Sequence, residues 1–290
     1  MKTHQPVMVE KVIEFLNVRA TGVYIDATCG TGHHSRAILE ATGGNCTMIC
    51  IDKDFRAIQR AKEYLSEFST RVIFVNDGFE NIEKIVRNIG IKKADGILFD
   101  LGFSSEQISS SQAGFGFKQN GPLDMRYDKN LPVSAWDVIN RFSKKEIARI
   151  LEDFGEVKDA EKLATLICTE RKNKPFETTR EFADFIARHR KSRKKVHPAT
   201  QIFQAIRMYV NNEIENLKAG LEGAVNVLIS GARIVVITYH SIEDRIVKRF
   251  MKTNKNVRLI TKKVIVPDEI EKAVNLSSRS AKMRVAEVVN

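Results

Sequence analysis

Through the first hundred residues, short apolar runs alternate with stretches in which apolar residues recur every three or four positions. Val23–Ala27, Thr47–Ile51, Arg71–Val75 and Gly96–Phe99 predict buried strands, and Ser35–Ala41, Phe55–Phe68 and Asn81–Ile89 predict the helices between them. Strands alternating with helices imply a parallel sheet covered on both faces, with ligands held beyond the carboxyl ends of the strands. The rhythm stops from about Ile108 to Ala199. There a Gly- and Ser-rich loop, Ser109–Gly121, leads into helical patterns at Lys144–Asp153, Asp159–Arg171 and Thr179–Arg188, punctuated by Pro122, Pro132, Pro175 and Pro198. It resumes with a long helical pattern, Ile202–Leu228, a strand, Gly231–His240, and a helix, Glu243–Lys252. Two β-rich stretches, Val257–Val266 and Ala281–Val289, suit a closing hairpin. The expectation is an α/β chain whose Rossmann-like sheet is built from residues 1–107 and 200–290, with a mostly helical, substrate-recognising insertion over 108–199.

The first strand runs into Cys29-Gly-Thr-Gly-His-His-Ser35 and then a helix. Gly30 and Gly32 can take positive φ and let a ligand approach the backbone, and the helix would present unpaired N–H groups there. Twenty residues after Gly32, the second strand ends at Asp52, where a carboxylate could accept hydrogen bonds from ribose hydroxyls. Two nucleotide cofactors suit this arrangement. A dinucleotide fingerprint needs a third glycine at position 35, which is serine here. S-adenosylmethionine enzymes with a Rossmann-like sheet resemble the stretch more closely, through Asp26 before the glycines, Asp52, and a fourth strand that delivers Asp100 to the same edge.

The first residues lack the apolar segment of a signal peptide, and no apolar run reaches the ~18–20 residues of a membrane span, so a cytoplasmic protein is expected. Four cysteines are too few for a disulfide scaffold. Cys29, His33 and His34 lack the paired spacing of a zinc site, and no metal is expected. The net charge of +11 is concentrated in two stretches. Residues 170–200 hold ten Lys/Arg against four acids, and residues 245–263 hold eight against none. Such clusters suit a polyanionic partner, most plausibly nucleic acid, although a solvated charged surface reads the same way.

Methyl transfer to an exocyclic amine needs the acceptor positioned and its hydrogens held. Asp100-Leu-Gly-Phe103 offers a carboxylate and a main-chain carbonyl at the end of strand four, in loose parallel with the Asp-Pro-Pro-Tyr motif of amino-methyltransferases. Phe103 is either a stacking platform or core. Strand five ends in the polar cluster Thr238-Tyr-His-Ser-Ile-Glu-Asp-Arg245, which makes His240 and Glu243 further catalytic candidates beside Asp100. The same cluster reads as a helix start capped by Ser241 with acids in its first turn. The loop Gly114–Arg126 is either a substrate-facing lid or a packed connector.

Taken in order, His4-Gln-Pro-Val-Met8, Asp26–Arg36, Asp95–Ser105, Gly114-Phe-Gly-Phe117, Gly121-Pro-Leu-Asp-Met-Arg126, His197–Arg207, Tyr239-His-Ser-Ile-Glu-Asp-Arg245 and Ser278-Arg-Ser-Ala-Lys282 resemble the ribosomal RNA small subunit methyltransferase H family across nearly the whole chain. The resemblance implies N4-methylation of a cytidine in the decoding region of 16S rRNA, with S-adenosylmethionine as donor and 16S rRNA or the small ribosomal subunit as partner. It also implies cofactor contacts from Gly32, His33, His34, Asp52, Phe79, Asp100 and Gln107, to which the glycine turn adds Gly30. His33 departs from the family, standing where a second glycine usually precedes the histidine, and Phe103 stands where valine is common. The sequence leaves the oligomeric state open, a homodimer included. Two other readings remain: a noncatalytic RNA-binding or assembly factor that keeps a cofactor fold, and a methyltransferase acting on DNA or protein.

Overall fold

The computed structural model describes residues 6–102, 114–191 and 197–289. Two compact units divide the chain, Met1–Gly102 with Ile214–Asn290 and, between these, Phe103–Glu213. The first holds a seven-stranded sheet with strand order β3-β2-β1-β4-β5-β7-β6. Its strands are β1 Val23–Asp26, β2 Thr47–Asp52, β3 Val72–Asn76, β4 Ala94–Asp100, β5 Leu228–Thr238, β6 Val257–Leu259 and β7 Lys282–Val288. β1 to β5 are parallel, whereas β7 runs antiparallel to both β5 and β6. The Rossmann-like α/β sheet expected from the alternation of strands and helices is therefore present.

Alternate residues of each strand enter opposite cores, as the two-residue period of a strand requires. Ile25, Ile49, Ile51, Ile97, Phe99 and Ile234 pack with the helices Ile82–Asn88, Glu213–Val227 and Ser241–Thr253. Tyr24, Met48, Cys50, Leu98 and Val235 pack with Val9–Leu16, His33–Ala41 and Phe55–Tyr64. Because β1 to β5 are parallel, their last residues, Asp26, Asp52, Asn76, Asp100 and Thr238, share one edge of the sheet.

Two details differ from the sequence expectation. β6 and β7 do pair, but β6 is only three residues long and the helix Glu269–Val274 lies in the connection, so they are not a tight hairpin. The single helix expected over 202–228 is two, Thr200–Val210 and Glu213–Val227. Between them, buried Asn211 accepts the Tyr127 N–H at 2.8 Å and donates to the carbonyls of Met125, at 2.7 Å, and Arg207, at 2.9 Å. Asn212 then takes φ 52°.

The second unit is helical. Ala135–Arg141, Lys144–Gly155 and Thr179–His189 each begin with a reciprocal capping box, Ser134 with Asp137, Ser143 with Glu146, and Thr178 with Glu181. Their apolar faces enclose Leu151, Phe182, Phe185 and Phe203. Residues 114–126 form a packed connector of this unit. Leu123 and Met125 lie in its core, the Leu123 N–H donates to the Glu177 carbonyl, and Arg126 pairs with Asp124 and donates to the Leu131 carbonyl. The ion pairs with Arg126 and Lys129 outweigh partial burial and hold the Asp124 carboxyl down at about 2.

Candidate active site

The turn after β1 is held by two carboxylates, buried Asp26 and half-buried Asp52. Asp26 accepts the Ser35 hydroxyl at 2.7 Å and the Thr28 N–H at 3.3 Å. Ser35 thus ties the first turn of the helix His33–Ala41 to β1, at the position where a dinucleotide motif would need glycine. Burial raises the Asp26 pKa despite these donors. Gly30 and Gly32 have φ 55° and 87°, and a Cβ on Gly32 would stand 3.0 Å from Leu65. No side chain caps the helix at Gly32, so this N-terminus faces the edge of the sheet without an internal acceptor from its cap residue.

Asp52 completes the turn. Its Oδ2 accepts the Gly30 N–H and its Oδ1 the Asp54 N–H, both at 2.8 Å. Burial pushes its carboxyl up to about 6, against the pull of those two donors. Each oxygen keeps a lone pair for a further donor. His33 opens the helix with its ring edge-on to Tyr64, the centroids 4.6 Å apart. Phe79 begins the turn after β3 and lies edge-on to Phe99, at 5.6 Å. Gly220 makes room for it, since a Cβ there would come within 2.6 Å of the Phe79 ring.

Asp100 gathers three groups at the end of β4. Its Oδ1 accepts the Tyr239 hydroxyl at 2.8 Å and the Gly102 N–H at 3.2 Å, and its own N–H donates to Thr28 Oγ1 at 2.7 Å. His34 Nε2 lies 3.3 Å from Oδ2 without the alignment of a hydrogen bond, and His34 Nδ1 has no hydrogen-bond partner among the described residues. Among the described residues, Oδ2 is therefore the less satisfied oxygen. Burial disfavours both charges, but their mutual attraction and the Tyr239 hydroxyl win, so the Asp100 pKa is lowered and that of His34 raised. Gly102 is required by the same contact, because a Cβ there would stand 2.7 Å from the Tyr239 ring.

His240, rather than Ser241, is the N-cap of the helix Ser241–Thr253. Its Nδ1 accepts the Glu243 N–H at 3.4 Å while its Nε2 lies 2.9 Å from Glu243 Oε1. Nε2 is thus close to the Glu243 carboxylate, but the two are not aligned as a hydrogen bond. Glu243 Oε2 in turn accepts the Tyr239 N–H at 3.1 Å. The His240–Glu243 pair thus reaches Asp100 through Tyr239. Tyr239 and Thr28, the two residues that fix Asp100, do not stand out as site residues in the sequence, where Tyr239 is only one member of a polar cluster. Phe103 and Gln107 lie outside the described residues.

Of the two basic stretches, the first is partly internal. Arg190 bonds to Asp159, Gln201 and the Pro198 carbonyl, and Ser192–Val196 lie outside the described residues. In the second, Lys248, Arg249, Lys252, Lys255, Lys262 and Lys263 are exposed. No helix among the described residues is long and apolar enough to cross a membrane.

This edge of carboxylates and glycines belongs to a chain whose residues 1–289 match the model of the MraW methylase family. The chain belongs to that family. Its relatives include the ribosomal RNA small subunit methyltransferase H of Carboxydothermus hydrogenoformans, 43% identical over 98% of this chain and 97% of the relative. The methyltransferase H of Clostridioides difficile is 41% identical over 99% of both chains. The MraW methylase match spans both units, so the helical unit is part of what the family shares.

Proposed function

We propose that the chain is an S-adenosylmethionine-dependent methyltransferase that modifies the N4 amine of a cytidine in the decoding region of 16S rRNA, with the rRNA or the small subunit as partner. The relatives' names point to ribosomal RNA, and the exposed lysines and arginines of 248–263 suit its phosphates. One observation carries the chemistry: an ionised, half-buried carboxylate, Asp100, keeps one under-used oxygen, among the described residues, beside the glycine turn.

The residues present fit the donor. Gly30 and Gly32 expose backbone, Asp52 keeps acceptor capacity for a ribose diol, and Phe79 offers an apolar wall, with His33, His34 and Gln107 as the remaining contacts. When bound, S-adenosylmethionine supplies an electrophilic methyl on a sulfonium. Asp100 Oδ2 accepts a hydrogen of the amine and orients its lone pair toward that methyl. The depressed pKa suits Asp100 to accept the amine's hydrogen bond and to pass the proton released on methylation on to solvent rather than retain it. Tyr239 holds Oδ1 still, and His240 and Glu243 position Tyr239. The unit Phe103–Glu213 recognises the substrate.

Single-turnover methyl transfer to small-subunit rRNA, at saturating cofactor and RNA, tests this. Asp100→Ala is expected to lose far more rate than cofactor affinity, and Asp100→Asn to recover part of it, because an amide oxygen still accepts from the amine. Wild-type turnover by Asp100→Ala would remove Asp100 from the chemistry. Label appearing on DNA or protein instead of cytidine N4 would overturn the assigned acceptor.

A further inference from the structure

Where β5 ends and antiparallel β7 begins, with Thr238 opposite Lys282, the first unit holds a cavity of about 350 Å³. Tyr239 forms one wall, Val266 another, and Lys272, Arg279, Ser280 and Lys282 supply polar groups. The lining contains three cations and no carboxylate. Arg279 donates its Nε–H to the Lys272 carbonyl and makes no ion pair among the described residues. Lys282 is 3.5 Å from Asp244, whose charge is already balanced by a two-point pair with Arg284 at 2.7 and 3.2 Å. Among the described residues Lys272 pairs with Glu269, whose side chain is 91% exposed. Of the three cations, Arg279 is thus the one without a carboxylate partner among the described residues, and Lys282 shares its partner with Arg284. The segment that supplies Arg279 and Lys282, Ser278-Arg-Ser-Ala-Lys282, takes no part in the site around Asp100.

The volume lies near the lower end of the roughly 300–1,000 Å³ typical of ligand sites, enough for a single nucleotide but not a length of RNA. Tyr239 is shared: its ring lines the cavity while its hydroxyl holds Asp100. Resting on the RNA reading above, we infer that this cavity takes the ribose-phosphate of a nucleotide adjoining the methylated one. Arg279 and Lys282 hold the phosphate, Ser280 donates to the same group, and Val266 covers the sugar. Unstacked single-stranded RNA presents its backbone and its bases to separate walls in this way. A phosphate anchored one residue from the target fixes the rotation of the target base toward Asp100.

The test measures binding of a fluorescent single-stranded oligoribonucleotide across a salt series for the wild type, Arg279→Gln/Lys282→Gln and Arg279→Lys. The double variant is expected to bind about tenfold or more weakly, as removal of charge-assisted hydrogen bonds implies. Its log–log salt slope should shrink by about 0.7 for each phosphate that is no longer neutralised. Arg279→Lys, which keeps the charge, should keep the slope and shows that the cavity tolerates substitution. Cofactor affinity should be unchanged in all three. An unchanged slope and affinity in the double variant overturns the inference, as does a wild type that does not bind the oligonucleotide. Loss of cofactor affinity in step with RNA affinity also overturns it, because the cavity would then hold the cofactor's carboxylate. A wild type that binds RNA with the expected slopes but leaves cytidine unmethylated refutes the assigned reaction while supporting the cavity.

Discussion

In its proposed role at the ribose, the half-buried carboxylate of Asp52 is expected to make cofactor affinity depend on pH in a range where an ordinary aspartate would give none. A ribose diol donates hydrogen bonds and needs the ionised form. With a pKa of about 6, the group is roughly 97% ionised at pH 7.5 and about 9% at pH 5, so affinity should fall about tenfold, about 1.4 kcal/mol, between them. At its ordinary value of 3.8 the carboxylate would stay almost fully ionised over that range. The free protein responds with the opposite sign. A raised pKa means that the native state holds the proton more tightly than the unfolded chain, so this group's contribution to stability rises as pH falls from above 6 toward 4. Titration calorimetry with S-adenosylmethionine between pH 5 and 7.5, beside denaturant melts of the free protein, reads both effects. Asp52→Asn supplies the control. Its single amide oxygen cannot serve both the Gly30 and Asp54 N–H groups, so it should lose about 1–3 kcal/mol of stability and show weak, pH-independent binding. A wild-type affinity that stays flat to pH 5, or an Asn variant that keeps the pH dependence, would refute the assignment of Asp52 to the ribose.

Tyr239→Phe removes the hydroxyl bonded to Asp100, which helps hold its pKa down, and should move the acid limb of the kcat profile to higher pH; an unmoved limb would mean that Asp100 does not govern the rate. Gly32→Ala places a Cβ at φ 87° and 3.0 Å from Leu65, and should lower stability in urea by roughly 1–3 kcal/mol with an unchanged m-value. Asn211→Ala strands the Tyr127 N–H and the Met125 carbonyl, and a loss of about 1–3 kcal/mol should appear as earlier proteolysis at the junction of the helices Thr200–Val210 and Glu213–Val227.

The strands and most helices are legible because their signal is local. Ile49 and Ile51 alternate with Met48 and Cys50 inside one six-residue run, and the capping boxes of the helical unit are written within four residues each. What stays hidden depends on partners distant in sequence. The apolar pattern runs unbroken through 202–228, and the break at Asn211 arises from partners 84 and 86 positions away. Serine is a commoner cap than histidine, yet at the end of β5 the imidazole takes that place, its Nδ1 accepting the Glu243 N–H. Tyr239 meets Asp100 across 139 positions, a pairing that nothing in either local motif announces. The loop 114–126 reads equally as lid or connector because its two buried apolar side chains, Leu123 and Met125, carry no periodicity over so short a span.

The pairing of β4 with β5 sets the order in which this molecule can be assembled. Asp100 and Ile237 are neighbours across the middle of the sheet, yet the whole unit Phe103–Glu213 lies between them in the chain. Joining these strands while that segment is a coil means closing a long loop, whose entropic cost precedes any reward from the pairing. The segment itself consists of helices with local caps, which form fast without reference to the sheet. A segment that folds first replaces a long coil by a compact body and shortens the loop that remains to be closed. The candidate site, which needs Asp100 from one strand and Tyr239 just beyond the other, is accordingly expected among the last parts of the molecule to form. A substitution that slows the helical unit should therefore delay the onset of activity during refolding more than the appearance of helical signal.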